Sequence, residues 1–133
     1  MEFNMQIASR GLSLIERLVV ITIISVLATV GYPSYKTYLM ESRRTDAINA
    51  LRENQLTIEK YMQQSGVTPT TSAVTLLTTS AQGFYDLTYT RVDDDSYELV
   101  ATAVSGRSQA NDTDCTTITL ISEMDNIYPT ACH

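Results

Sequence analysis

A nearly continuous apolar run, residues 12–31, constrains this chain more than any other feature of its sequence. Twenty helical residues rise about 30 Å, which is the thickness of the hydrocarbon core of a bilayer. The run is rich in Val and Ile, which helices in lipid tolerate although both residues are mediocre helix formers in water. We therefore expect residues 12–33 to form a helix that is apolar on every side and crosses a membrane.

The helical pattern does not stop where the apolar run ends. Gly31 and Pro33 predict a kink, because proline removes a backbone donor and clashes with the preceding turn. Beyond them, apolar residues recur every three or four positions among polar ones. The sequence thus predicts one helix from residue 12 to about residue 64, whose second half, residues 34–65, is amphipathic.

The C-terminal part, residues 66–133, has a different pattern. Residues 66–83 are rich in Thr and Ser and are interpreted as a linker-like connection. Two stretches of period two, residues 84–92 and 97–104, flank a turn and predict a hairpin, and residues 116–122 predict a third strand. A helix followed by an antiparallel sheet is an α+β arrangement.

The charge of the chain argues against several classes of function. The formal net charge is −6, and from residue 66 onward the only basic residues are Arg91 and Arg107, against nine acidic ones. Binding of nucleic acid needs Lys and Arg to neutralise phosphates, so the sequence does not favour it. No Ser-His-Asp set, phosphate-binding glycine loop or carboxylate pair suggests an enzyme, and no cofactor is expected.

Metal binding is not expected either. The single histidine is His133, and two cysteines without histidines are too few for a zinc site. Three consecutive acids at positions 93–95 invite a calcium interpretation, but they lack the spacing of a calcium loop, and a solvated turn is favoured. In an exported protein, Cys115 and Cys132 are expected to form one disulfide that closes a C-terminal loop.

Three stretches resemble one protein family. Gly11 with Glu16 before the apolar run resembles the class III signal of type IV pilins. The stretches "YPSYKTYLMESRRTDAINAL…EKY" and "DSYELVATAV…DTDCTTITL…ACH" resemble the minor pilins of type IVa pili. The resemblance implies the pilin fold, in which a long N-terminal helix packs on a small antiparallel sheet of three to four strands.

The resemblance also implies a life cycle for the chain. Residues 1–11 would be a leader that prepilin peptidase removes between Gly11 and Leu12, after which Leu12 would become an N-methylated terminus. The subunit would wait in the inner membrane with its head in the periplasm. An inner-membrane assembly platform would then add it to an extracellular filament of pilin subunits, which supports adhesion, twitching motility or DNA uptake.

Glu16 follows Leu12 by four residues, so the two lie on one helix face. A carboxylate in lipid is costly unless it is paired. Glu16 can form an ion pair with the terminal amine of its own chain. The resemblance implies instead a pair with the terminal amine of a neighbouring subunit, which would set the register of assembly. Arg17 stands where the family usually has an apolar residue, and it can extend to the lipid headgroups.

Four charged residues lie together in the amphipathic half of the helix. Glu41 is three residues before Arg44, and Arg43 is three before Asp46, so each pair is within reach of a local salt bridge. Contacts between neighbouring subunits are the alternative interpretation.

Two other functions remain alternatives: a DNA-receptor minor pilin of natural competence, and a type II secretion pseudopilin. In pilins, the region between such cysteines is exposed and variable, so residues 123–130 are the candidate surface for an external receptor.

Overall fold

The computed structural model describes residues 11, 13–123 and 126–132. It has the element order α1 (Leu14–Ser65), β1 (Tyr85–Arg91), β2 (Tyr97–Ala103), β3 (Thr117–Ile121) and β4 (Asn126–Tyr128), with short 3-10 turns at Ser108–Asn111 and Thr130–Cys132. The chain divides into two compact units, residues 1–36 and 37–133. We call the second unit the head.

Helix α1 confirms the predicted single long helix. Pro33 lies inside it, and the bend predicted at Gly31 and Pro33 stays a prediction. The helix ends at Ser65 because Gly66 adopts a positive φ of 74° and donates its N–H to the carbonyl of Met62, which is the usual glycine C-terminus of a helix.

The four strands form one antiparallel sheet in the order β1-β2-β3-β4. Strands β1 and β2 pair from Tyr85 with Ala103 to Arg91 with Tyr97, so the predicted hairpin is confirmed. Strand β3 also confirms its prediction. Strand β4 lies within the tail that was interpreted as exposed surface, and it pairs with β3 over only three residues.

The core of the head lies between one face of α1 and one face of the sheet. Buried residues recur on the helix at the spacing of a single stripe: Ala47, Ala50, Leu51, Asn54, Gln55 and Ile58. The sheet contributes alternate residues, as its period of two predicts: Tyr85, Leu87, Tyr97, Leu99, Ala101, Ile118, Leu120 and Ile127.

The connection between α1 and β1 is not the loose linker that its composition suggests. Asn54 in the helix donates from Nδ2 to the carbonyl of Leu77 (2.8 Å) and accepts from the N–H of Leu77 (2.7 Å). Thr68 is buried, and Tyr89 donates its hydroxyl to the carbonyl of Pro69 (2.6 Å). These contacts hold the connection against the helix and the edge of the sheet.

Candidate functional site

The first candidate site is the N-terminal part of α1, which exposes its apolar side chains. Leu14, Ile21 and Leu27 are 81%, 64% and 67% exposed, and other large apolar residues of this segment are about as exposed. By length and composition, α1 is long and apolar enough to cross a membrane. In water such a surface is unfavourable, so this segment requires an apolar partner.

The hydroxyl groups of this segment do not need water. Thr22 donates to the carbonyl of Leu18, Ser25 to that of Ile21, and Thr29 to that of Val26, at 2.7–2.8 Å. A polar side chain that is satisfied within its own helix can be placed in lipid or between helices at little cost. The segment is therefore suited to apolar surroundings on all sides.

Glu16 and Arg17 lie in the first turns of α1. Together with Val20 and Ile21 they line a shallow pocket on this segment. A carboxylate in the first turn of a helix is favoured by the positive end of the helix dipole. Gly11 is exposed with open space around its Cα. Leu12, the predicted new terminus and the predicted methylation site, lies outside the described residues.

The charged stretch of α1 is arranged differently from the local pairs that its spacing predicts. Arg44 pairs with Asp112: its Nε and Nη2 donate to the two carboxylate oxygens, each at 2.6 Å. Asp46 accepts from the N–H of Gln82 (2.9 Å). Within the described part of the chain, neither Glu41 with Arg44 nor Arg43 with Asp46 forms an ion pair, so the prediction of local pairs is wrong.

The Arg44–Asp112 pair connects the helix to the turn before β3. Asp112 is only 5% exposed, and it also accepts from Nε2 of Gln109 (2.7 Å), which is fully buried. The hydrogen bond to Asp112 raises the pKa of Arg44, so the guanidinium stays charged. Nearby, the hydroxyl of Tyr85 donates to the carbonyl of Cys115 (2.8 Å), and burial raises the pKa of this tyrosine.

Arg43 and Arg107 form a second charged group, which we call the arginine pair. Their guanidinium carbons lie 3.9 Å and 5.3 Å from the centre of the Phe84 ring, in the range of cation–π contact. Arg43 also donates to the hydroxyl of Ser108 (2.6 Å). Neither arginine has a carboxylate partner among the described residues. Phe84 immediately precedes β1, so the pair lies at that end of the sheet.

The turn between β1 and β2 consists of Asp93, Asp94 and Asp95, which are all exposed; we call it the acidic turn. Asp95 donates its N–H to Oδ1 of Asp93 (2.9 Å), and Asp94 forms an ion pair with Arg91. This geometry confirms the interpretation as a solvated turn. Among the residues that the structure describes, no group of three or more His, Cys, Asp or Glu side chains could hold a metal ion.

Cys115 and Cys132 form the predicted disulfide, with Cα atoms 5.7 Å apart, and both residues are buried. The bond ties the end of the tail to the segment that leads into β3. Part of the predicted receptor surface, residues 123–130, is consequently structural, because Ile127 is buried within β4. Residues 124 and 125 lie outside the described part. Tyr128 and its neighbours Pro129 and Thr130 are exposed.

Comparison with known proteins gives one family. The family model described as "Type IV minor pilin ComP, DNA uptake sequence receptor" matches residues 33–119, about two thirds of the chain. The matched range contains the arginine pair, the acidic turn and the Arg44–Asp112 pair.

Individual relatives give the same result. The chain is 30% identical over 76 residues to fimbrial protein EcpC of Eikenella corrodens, covering 57% of this chain and 50% of the relative. It is 30% identical over 83 residues to the type IV major pilin protein PilE of Neisseria gonorrhoeae, covering 61% and 50%. The chain thus spans about half the length of these curated relatives.

A solved structure supports the fold. A type IV pilin from Shewanella oneidensis superimposes with a TM-score of 0.53 at 20% sequence identity, covering 68% of this chain and 92% of that one. At this identity the likeness concerns the fold alone, and it agrees with a long helix packed on a four-stranded antiparallel sheet.

Proposed function

This chain belongs to the type IV minor pilin family, and from that membership we propose that it is a structural subunit of a type IV pilus. One observation carries the proposal: the N-terminal part of α1 exposes an apolar surface on all sides, while the head has a core of its own. A subunit that changes from lipid surroundings to a bundle of neighbouring helices needs such a segment. The buried core of the head contains no residue of that segment.

The proposed cycle begins in the inner membrane. Prepilin peptidase removes residues 1–11, and Leu12 becomes the N-methylated terminus. The assembly platform then moves the subunit from lipid into the filament, where its apolar segment packs against those of other pilins. The change of surroundings costs little, because both environments are apolar and the hydroxyl groups of the segment are satisfied internally.

Glu16 is the proposed determinant of register during assembly. Its carboxylate lies one helical turn from the amine that cleavage would create at Leu12. A buried carboxylate is tolerated when it meets an amine, and a shifted neighbour leaves it unpaired. The pairing with the amine of a neighbouring subunit therefore selects one axial position.

Substitution of Glu16 tests the proposal. We expect Glu16→Val to be cleaved normally at Gly11, as read by N-terminal sequencing, but to be reduced at least about ten-fold in sheared filaments, which corresponds to roughly 1.4 kcal/mol. Arg17→Leu is the matched control, since it changes the adjacent charge and should leave incorporation intact. Equal incorporation of Glu16→Val and the parent chain would reject the register role.

A role as a DNA receptor is the second candidate. The description of the matched family favours it, and the matched range contains two arginines without carboxylate partners, Arg43 and Arg107. The acidity of the head opposes it. We expect any shift of duplex DNA by the detergent-solubilised full chain to appear only at low salt and to vanish as salt rises. Absence of a shift at low salt would exclude DNA binding by this chain alone.

A further inference from the structure

The two ends of the β1–β2 hairpin carry opposite charges. The arginine pair lies where β1 begins, and the acidic turn connects the far ends of the two strands. Since each strand has seven residues, these ends are about 20 Å apart. We propose that the arginine pair of one subunit binds the acidic turn of a second copy of this chain, an inference that rests on the proposed role in a filament.

The arginine pair is positioned to bind an anion. Phe84 supplies one ring for both guanidinium groups, and a guanidinium that stacks on a ring keeps its N–H groups directed outward in its own plane. Gly83 leaves room for this arrangement, because a Cβ at that position would lie 3.3 Å from Nη1 of Arg107. Arg107 donates no side-chain hydrogen bond to any described residue. Its donors remain available for a carboxylate.

The acidic turn has the complementary properties. Its backbone is fixed by the bond from the N–H of Asp95 to Asp93, so the carboxylates project from a defined turn. Asp94 already has Arg91 as a partner. Arg91 also lies near Asp93, because its Nε donates to the carbonyl of Asp93 (3.2 Å), whereas Asp95 has no basic partner in the described part of the chain. The free donors of the two arginines can therefore meet the carboxylate of Asp95 and the remaining acceptor positions of Asp93, which already accepts one N–H. Carboxylates are the partners that guanidinium groups bind best.

A second copy of the chain fits this geometry. Within one chain the two groups are too far apart to meet. Between copies, a contact that joins two different patches can repeat along an open filament, provided that the rotation between copies does not close a ring. A DNA duplex fits less well, since it presents a charge every 1.7 Å or so of its length and would meet the surrounding acids as well as the two arginines.

Cross-linking in filaments tests this contact directly. Arg107→Lys keeps the charge and supplies an amine that a carbodiimide can join to a carboxylate in contact with it. We expect mass spectrometry of treated sheared filaments to find position 107 linked to the peptide that contains the acidic turn. Because the two sites are about 20 Å apart within one chain, any such link joins two copies.

Charge reversal provides a second test. Arg107→Glu should lower incorporation into filaments about five-fold, as expected for the loss of an exposed ion pair near 1 kcal/mol. Adding Asp95→Arg in the same chain should restore it, since each copy then carries both reversed partners. Lys60→Glu is the matched control: it makes the same change in net charge at an exposed position of the head, and it should leave incorporation unchanged.

The outcomes separate this inference from the proposed function. Absence of the parent chain from sheared filaments would overturn the proposed function and the inference together. If the chain is present but position 107 links only to a different pilin, or to nothing, the contact with a second copy is overturned. A salt-sensitive DNA shift that Arg107→Gln abolishes, with no cross-link to the acidic turn, would assign the arginine pair to DNA.

Discussion

Replacing Arg44 by alanine is expected to lower the free energy of unfolding by about 3 kcal/mol, because it leaves a buried carboxylate without its cation. Asp112 is 5% exposed, and its remaining hydrogen bond, from Gln109, comes from a neutral amide. The variant loses both charge-assisted bonds from Arg44, and Asp112 is too deeply placed to be fully hydrated in their stead. Denaturant unfolding of the detergent-solubilised full chain, followed by circular dichroism, measures the change.

The adjacent arginine is the matched control for this variant. Arg43→Ala removes the same charge from the same stretch of helix, but its contacts with Ser108 and Phe84 lie nearer the surface, so we expect a loss below about 1 kcal/mol. Arg44→Lys keeps the charge but cannot bond to both carboxylate oxygens in the same way. Its loss in the free energy of unfolding should lie between those of Arg43→Ala and Arg44→Ala. Equal losses for Arg43→Ala and Arg44→Ala would contradict the role assigned to the buried pair.

Removal of the disulfide is the other change with a large expected effect. Replacing Cys115 and Cys132 together by alanine should cost about 3 kcal/mol, since the bond closes a loop of moderate length in the unfolded chain. The sequence separation is 17 residues. The loss of local stability should be greatest in the tail. Strand β4 pairs with β3 over only three residues, and the disulfide holds the segment that follows β4.

Hydrogen exchange measures the local part of this effect. Amides of β4 should exchange faster in the double variant, while those of β1 and β2 should change less, as each pairs over seven residues. Reduction of the parent chain should reproduce the effect, and reduction of the double variant should have none. An unchanged unfolding midpoint together with unchanged exchange of β4 would contradict a structural role for the disulfide.

Most of the fold could be predicted from the sequence, because its elements are strongly periodic. A nearly continuous apolar run within twenty residues, a stripe at helical spacing and two stretches of period two predict one long helix and a hairpin, with bounds close to those of α1, β1 and β2. The spacing of Gly11 and Glu16 before an apolar run suggested the family that the matched model supports.

The resemblance allowed a fourth strand, but the sequence did not show where β4 lies, nor did it show the anchored connection before β1. Strand β4 is only three residues long, too short for a period of two to emerge. The connection is rich in Thr and Ser, and its composition gives no sign that Asn54, twenty-three positions before Leu77, bonds to both backbone groups of that residue. Such contacts depend on which side chain the fold brings opposite a loop.

The charged residues of α1 also have partners that sequence spacing does not predict. Spacing on a helix identifies neighbours three and four positions away, and on that basis Glu41 and Asp46 were the partners predicted for the two arginines. The fold instead brings Asp112, sixty-eight positions from Arg44, into a buried place where a charge must be paired, and local neighbours in solvent gain much less from pairing.

The sequence by itself determined which segments are apolar, which are helical and which are extended, because these properties depend on residue type and spacing within a few turns. Only the tertiary structure decided which charges are paired and which remain available. Arg44 and Arg43 are adjacent in the sequence and both are partly exposed, yet the first pairs with the buried carboxylate of Asp112 and the second lies against the ring of Phe84. Burial depends on how the head packs, so it cannot be inferred from a local sequence pattern.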